Sequence, residues 1–157
     1  MIQLTTIVIN HNSKEIFNCL ESIYSTISVP FETIIVDNNS TDHALAQIKK
    51  QFPETKIIEN TVNKSYGTAC NQAIKIANCK HLLILNPDII LEKNTVTELL
   101  KYIDDNKEAK IVSCKLKNSD GSIQDSFREF PTIKNLLKRQ LMKTNVQEIT
   151  TVCDKTK

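Results

Sequence analysis

Apolar and polar positions along this chain fall into short blocks that alternate between two periods. Leu4 to Ile9 is an apolar, β-branched run, and its length and residue types predict a strand. It ends in the polar cluster Asn10-His11-Asn12-Ser13. Ile16, Leu20, Ile23 and Ile27 then recur at helical spacing, which predicts an amphipathic helix. A second apolar run, Thr33-Ile34-Ile35-Val36, ends in Asp37-Asn38-Asn39-Ser40-Thr41-Asp42. The helix predicted after it carries Ala44, Leu45 and Ile48 on its inner face, with Ser40 or Asp42 as N-cap. Lys56-Ile57-Ile58-Glu59 is a short third strand, and Ala69, Cys70, Ala73, Ile74 and Ala77 form a face of mostly small residues suited to close packing on a sheet.

The fourth strand is the most informative. His81 to Leu85 runs into Asn86-Pro87-Asp88. Four successive apolar residues, Leu82 to Leu85, predict a strand buried on both faces, as in parallel sheets. Pro87 cannot continue the ladder, so Asp88 emerges at the carboxyl end. A helix through Val96, Leu99, Leu100 and Ile103 follows, with Thr95 and Glu98 spaced as a capping box. Ile111 to Cys114 reads as another strand, Asn118-Ser119-Asp120-Gly121 as a turn, and Ser122 to Phe127 as an extended segment. The alternation predicts an α/β fold with a doubly wound, mainly parallel sheet flanked by helices. One domain over residues 1–144 is expected. Its last helix carries Ile133, Leu136, Leu137 and Leu141, and a polar tail over 145–157 is expected to fray.

Composition narrows the function classes. With 157 residues, 40% hydrophobic and 24% charged, the chain can bury a real core. Lys+Arg 20 against Asp+Glu 18 leaves +2, too balanced for a phosphate-backbone binder, so no nucleic-acid partner is expected. There is no apolar stretch of about 18 residues and no basic-then-apolar start, so neither a spanning helix nor a secretory signal is expected. The five cysteines are odd in number and include no C-x-x-C pair. They read as buried, reduced thiols in a cytoplasmic setting.

Three polar clusters at equivalent strand ends define one expected crevice, because ligands of open α/β sheets bind at the carboxyl ends of strands. The chain has only two glycines, Gly67 and Gly121, and neither follows the first strand. A dinucleotide fingerprint and a P-loop both need glycines there. Asn10-His11-Asn12 must therefore bind through side chains, which suits a nucleoside base and ribose.

These residues carry a resemblance to the family 2 glycosyltransferases of GT-A type. Ile7 to Asn12 is similar to the family's first strand and turn, and Val36 to Asp42 to its second. Leu85-Asn86-Pro87-Asp88 resembles the Asp-x-Asp variant of rhamnosyltransferase-like members, and Arg128-Glu129-Phe130-Pro131 resembles their Arg-x-Phe-Pro segment. The likeness covers roughly residues 3–133 and implies a GT-A-type (Rossmann-like) sheet, incomplete at its C-terminus.

The resemblance implies a UDP- or dTDP-sugar donor held by Asn10, His11, Asp37, Asn39, Asn71 and Asn86. Mg²⁺ or Mn²⁺ would sit on Asp88, and transfer would invert the sugar. By the same resemblance Asp37 would meet the pyrimidine ring, where an acceptor-only carboxylate selects the ring N–H of uracil or thymine over cytosine. The alternative for Asp37 is a turn cap. His11 stands where relatives often carry Tyr, and Asn39 and Ser40 could equally shape their loop and cap the helix. Asn63 to Asn71 departs from the family's glycine-containing segment. The implied acceptor is a glycan or lipid-linked glycan in surface polysaccharide assembly at the inner face of the plasma membrane, with peripheral membrane association. No acidic motif of the family's general-base type follows Arg128. The expectation is a donor-binding half with little transfer activity alone, whose base and acceptor surface come from a partner chain or a longer product. A non-catalytic nucleotide-sugar or partner-binding module is the alternative.

Overall fold

Strand β1 (Leu4–Asn10) is buried along its whole length, because the chain crosses back over both of its edges and both of its faces. In the computed structural model, which describes residues 2–124, it lies between β2 (Phe31–Asp37) and β4 (His81–Leu85), with β3 (Lys56–Glu59) outside β2. The order is β3-β2-β1-β4 and every pairing is parallel. Helices α1 (Ile16–Thr26), α2 (Ala44–Gln51), α3 (Tyr66–Ile76) and α4 (Thr95–Asp105) complete the alternation. The chain divides into two compact units, Met1–Lys101 and Tyr102–Lys157. No helix among the described residues is long and apolar enough to cross a membrane.

Strand period 2 sorts the side chains onto two faces. Leu4, Val8 and Ile35 pack with Ile16, Cys19, Leu20 and Ile23 of α1, Ile48 of α2, and Leu91 and Val96. Ile7, Ile9, Ile34 and Val36 meet Ala69, Cys70 and Ala73 of α3, the close packing that the small residues predict. Ile74 departs from that expectation, being 37% exposed on the outer side of α3.

Three further expectations are corrected. β4 is not buried on both faces: it is an edge strand among the described residues, and Leu82 and Ile84 are each 44% exposed. Neither Ser40 nor Asp42 occupies the N-cap of α2. That position is His43, in the left-handed region, although the Asp42 carboxylate accepts from the Ala44 amide at 3.2 Å. Likewise Thr95 is the first helical residue of α4 and not its cap.

In the second unit, Ile111 to Cys114 is not a strand, since strand geometry persists only where a neighbour takes up the backbone groups. The turn is present. Lys117 and Ile123 form an antiparallel bridge, and Gly121 at φ 84 donates to the Asn118 carbonyl at 2.9 Å. The extended segment expected beyond Gln124, the helix from Ile133 and the tail over 145–157 lie outside the described residues.

A buried acid at the amino ends of the strands has no counterpart in the sequence reading. Glu32 is 8% exposed and accepts from Thr5 Oγ1 at 2.7 Å, Lys56 Nζ at 2.6 Å and the Asn78 amide at 3.0 Å. Burial pushes its carboxyl pKa up, and these donors more than offset that, holding it below the ordinary value. A depressed folded pKa contributes stability that is present above the unfolded value and lost as pH falls through the folded one. Glu32→Gln is therefore expected to cost about 1–3 kcal/mol at neutral pH. In urea melts the gap from wild type should narrow on acidification; a constant gap from pH 7 down to pH 3 would contradict the charged role.

Candidate functional site

The crossover order places a topological switch point at β1. From β1 the chain winds outward through β2 and β3, then returns to the opposite side of β1 as β4. At such a point the loops after the strands on either side, here β1 and β4, diverge and leave a crevice at their carboxyl ends. Register brings Asn10 opposite Asp37 and Asp37 opposite Glu59, while Leu85, the last residue of β4, pairs with Val8.

Asn10 and Asp37 meet directly. Asn10 is fully buried and Asp37 is 3% exposed; Asn10 Nδ2 donates to Asp37 Oδ1 at 3.0 Å and to Ser40 Oγ at 3.1 Å. The other carboxylate oxygen of Asp37 accepts from the Ser40 amide at 3.0 Å. Ser40 Oγ in turn accepts from the Asn12 amide at 3.0 Å, and Asn12 Oδ1 accepts from the Thr41 amide at 2.7 Å. The loops after β1 and β2 are thus zipped together by short polar side chains. Asn12 and Asn39 make the turns possible, at φ 53 and 66, a region that asparagine enters more readily than most residues. Asp37 has the geometry of the turn cap named as its alternative role. Each of its oxygens still has a second lone-pair direction.

The remaining expected residues are placed less closely. His11 and Asn39 are exposed on these same loops, and Asn71 is exposed on α3. Asn86 and Asp88 are both exposed at the corner after β4. The Asn86 carbonyl accepts from Cys19 Sγ at 3.7 Å and from the Ile89 amide at 3.2 Å, so the corner rests on the first turn of α1. Burial pushes the Cys19 thiol up to about 12, with the nearby Asp88 carboxylate adding to the shift. The thiol is neutral at physiological pH and should resist iodoacetamide at pH 8 except through unfolding. Labelling of Cys19 in the native chain at the rate of an exposed thiol would contradict this packing.

The donor set can be tested against a divalent ion. Among the described residues no group of three or more His, Cys, Asp or Glu could hold a metal. The corner offers one exposed carboxylate, Asp88, and one carboxamide, Asn86, both hard oxygen donors of the kind Mg²⁺ and Mn²⁺ take. That set fits an ion shared with phosphate oxygens and water, and does not fit one held by the protein alone.

Sequence reasoning missed a second layer. Asn38, which follows β2, is 4% exposed. It engages Asn60, Asn63 and Lys64 in the loop between β3 and α3, and Asn60 pairs with Gln72 of α3. The density of asparagine in 38–39 and 60–63 is the one signal in the sequence that could have pointed to it.

A family model described as Glycosyl transferase family 2 matches residues 5–155. Among curated relatives, a low-salt glycan biosynthesis hexosyltransferase of Haloferax volcanii is 27% identical over 144 residues, covering 88% of this chain and 43% of the relative. The rhamnosyltransferase WbbL of Escherichia coli is 27% identical over 126 residues, covering 74% and 47%. Among solved structures, that of Staphylococcus aureus TarS 1–349 in complex with UDP is similar, with a TM-score of 0.68, 27% identity, and coverage of 82% of this chain and 40% of that one. The chain spans less than half the length of each of these proteins.

Proposed function

The chain belongs to glycosyl transferase family 2, and from that premise we propose that it binds a UDP- or dTDP-sugar at the carboxyl ends of β1, β2 and β4. The observation that carries this reading is the buried Asn10–Asp37 pair at the switch point. The loops zipped together by that pair form one wall of a crevice whose other side is the Asp88 corner. The solved neighbour in complex with UDP supports it. Asp37 faces the pyrimidine, and Asn10, His11 and Asn39 line the approach of base and ribose. Asn86 and Asp88 hold Mg²⁺ or Mn²⁺ together with the diphosphate, and Asn71 closes the donor side. When bound, the ion supplies Lewis-acid stabilisation of the charge that builds on a departing nucleoside diphosphate.

The chemistry we assign to the complete site is inverting transfer of the sugar to a glycan or lipid-linked acceptor in surface polysaccharide assembly, at the inner membrane face. The rhamnosyltransferase relative makes dTDP-rhamnose the first donor to try. A second reading, donor binding without transfer, is favoured by the state of the acids at the strand ends. Asp37 is closed in by Asn10 and the Ser40 amide, Glu59 is ion-paired with Lys49 at 2.7 Å, and Asp88 would be engaged by the proposed ion. None of these three is placed to take a proton from an acceptor, and a base is worth about 10²–10⁴-fold.

A calorimetric panel of UDP, dTDP, CDP, ADP and GDP, each with Mg²⁺, tests the proposal. UDP and dTDP should bind at least tenfold tighter than the others. Equal affinities across the panel, or no binding at all, would overturn it.

A further inference from the structure

Asn38, Asn60 and Gln72 form a chain of three carboxamides that runs from the end of β2 to the body of α3. Every hydrogen-bonding position of Asn38 is used. Its Oδ1 accepts from Asn60 Nδ2 at 3.2 Å and from the Lys64 amide at 2.9 Å, while its Nδ2 donates to Asn63 Oδ1 at 2.8 Å and to the Lys64 carbonyl at 2.6 Å. A carboxamide has two donor and two acceptor positions, so no other side chain of this size could make the same four bonds. Asn60 and Gln72 then exchange reciprocal bonds of 3.0 and 2.9 Å, and the Asn60 amide donates to the Asp37 carbonyl at 2.9 Å. Asn38 and Asn60 are 4% and 8% exposed. Buried polar networks are costly when partly satisfied and rigid when complete.

What this network holds is the Asn63 side chain and the Lys64 backbone, directly before Ser65, which caps α3 by accepting from the Thr68 amide. The segment starts from Asn60 at the carboxyl end of β3, and β3 pairs with β2 through Asp37. It borders the crevice on the side away from Asp88. Nothing in the network's pattern requires so many buried amides for fold alone, since α3 is already anchored on the sheet by Ala69, Cys70 and Ala73.

We propose that Asn38, Asn60 and Gln72 are positioning residues that fix the Asn63-Lys64 segment in the conformation that receives the nucleotide, before the nucleotide arrives. The inference rests on the nucleotide-binding reading above. It adds that the wall on the β3 side is pre-ordered from α3, through Gln72, which bonds Asn60 and neither Asn63 nor Lys64. Pre-ordering lowers the conformational cost of binding, so loosening the relay at its far end should weaken the ligand without removing any contact to it.

Gln72 is the residue to change, because its hydrogen bonds go to Asn60 and to neither Asn63 nor Lys64. In the full chain, Gln72→Glu removes the donor to Asn60 Oδ1, and Gln72→Leu removes the whole pair without adding charge. UDP affinity with Mg²⁺ is measured by calorimetry, and protection of the Lys64 amide by hydrogen exchange. Both variants should weaken UDP about five- to tenfold, deprotect the Lys64 amide, and leave the ratio of UDP to CDP affinity unchanged. Combined with Asn38→Asp, either should add less than its separate effect. Wild-type UDP affinity in both Gln72 variants overturns the relay and leaves the nucleotide reading standing, even if their melting temperatures fall. A wild-type chain that binds no nucleoside diphosphate overturns the nucleotide reading, and the relay with it.

Discussion

Asp88→Ala is expected to abolish the metal dependence of UDP binding. Wild type should bind UDP more tightly with Mg²⁺ or Mn²⁺ than in EDTA, and the variant should bind equally in both. In the proposed site the protein would contribute one carboxylate to an ion shared with the diphosphate, in keeping with the lack of any group of three or more metal-ligating side chains among the described residues. Losing that carboxylate should cost about 2–3 kcal/mol, roughly thirty- to two-hundredfold in Kd. Wild type should show no measurable binding of Mg²⁺ without nucleotide. Asp88 is exposed, so its removal should leave the melting temperature close to that of wild type. A variant that binds UDP as tightly and as metal-dependently as wild type would show that the ion sits elsewhere.

Changes at Asp37 should have the second-largest effect, and the structure shows why two variants are needed. A charge-assisted hydrogen bond to the ring N–H of uracil or thymine is worth about 1.5–3 kcal/mol, roughly ten- to hundredfold. Asp37→Ala should therefore bind UDP and CDP about equally. The same substitution strands Asn10 Nδ2 and the Ser40 amide. Both lie in the zipped loops, so a loss of stability of about 1–3 kcal/mol should accompany it. Asp37→Asn retains an acceptor for Asn10 and most of the shape while removing the charge. It keeps one of the two bonds, to Asn10, and sets its NH2 against the Ser40 amide, so a smaller loss of stability than in Asp37→Ala should accompany the loss of base discrimination. Melting curves and calorimetry on both variants separate the roles: unchanged discrimination in Asp37→Asn would leave Asp37 as a turn cap alone.

Much of the architecture was legible because it is written in local periods. The β1, β2 and β3 runs, the apolar face of α1 and the small-residue face of α3 each follow from spacing, and each polar cluster lies at the strand end where it was expected. The apolar run Leu82 to Leu85 misled because hydrophobicity reports what a strand could bury, whereas burial depends on what lies beside it. Here Leu82 and Ile84 remain open at the sheet edge. Ile111 to Cys114 failed for a related reason: strand propensity does not supply a partner. Ser40 is one of the two residues, with Asp42, whose type and place before a helical pattern predict a cap. Its hydroxyl instead bonds Asn10 and Asn12, residues about thirty positions earlier, and no local rule reaches that far. The relay through Asn38, Asn60 and Gln72 was hidden in the same way, as was Glu32 at the amino ends of the strands.

Asp37 and Asp88 were both picked out from the strand ends on which they stand. Their neighbours set what each can do. Burial and two internal donors make Asp37 a fixed acceptor, while exposure leaves Asp88 open to an ion and phosphate. That division of labour between two carboxylates is the core of the account, and it places base and diphosphate at opposite ends of one crevice.

Paramagnetic broadening by Mn²⁺ in the presence of UDP tests this most directly, on the ¹⁵N-labelled full chain. The amide signals of Asn86 and Asp88 should broaden first and those of 10–13 next, while 37–41 and 60–64 should shift with UDP without early broadening. The pattern should vanish in Asp88→Ala. Broadening centred away from 86–88, or unchanged in that variant, would contradict a donor site built at these strand ends.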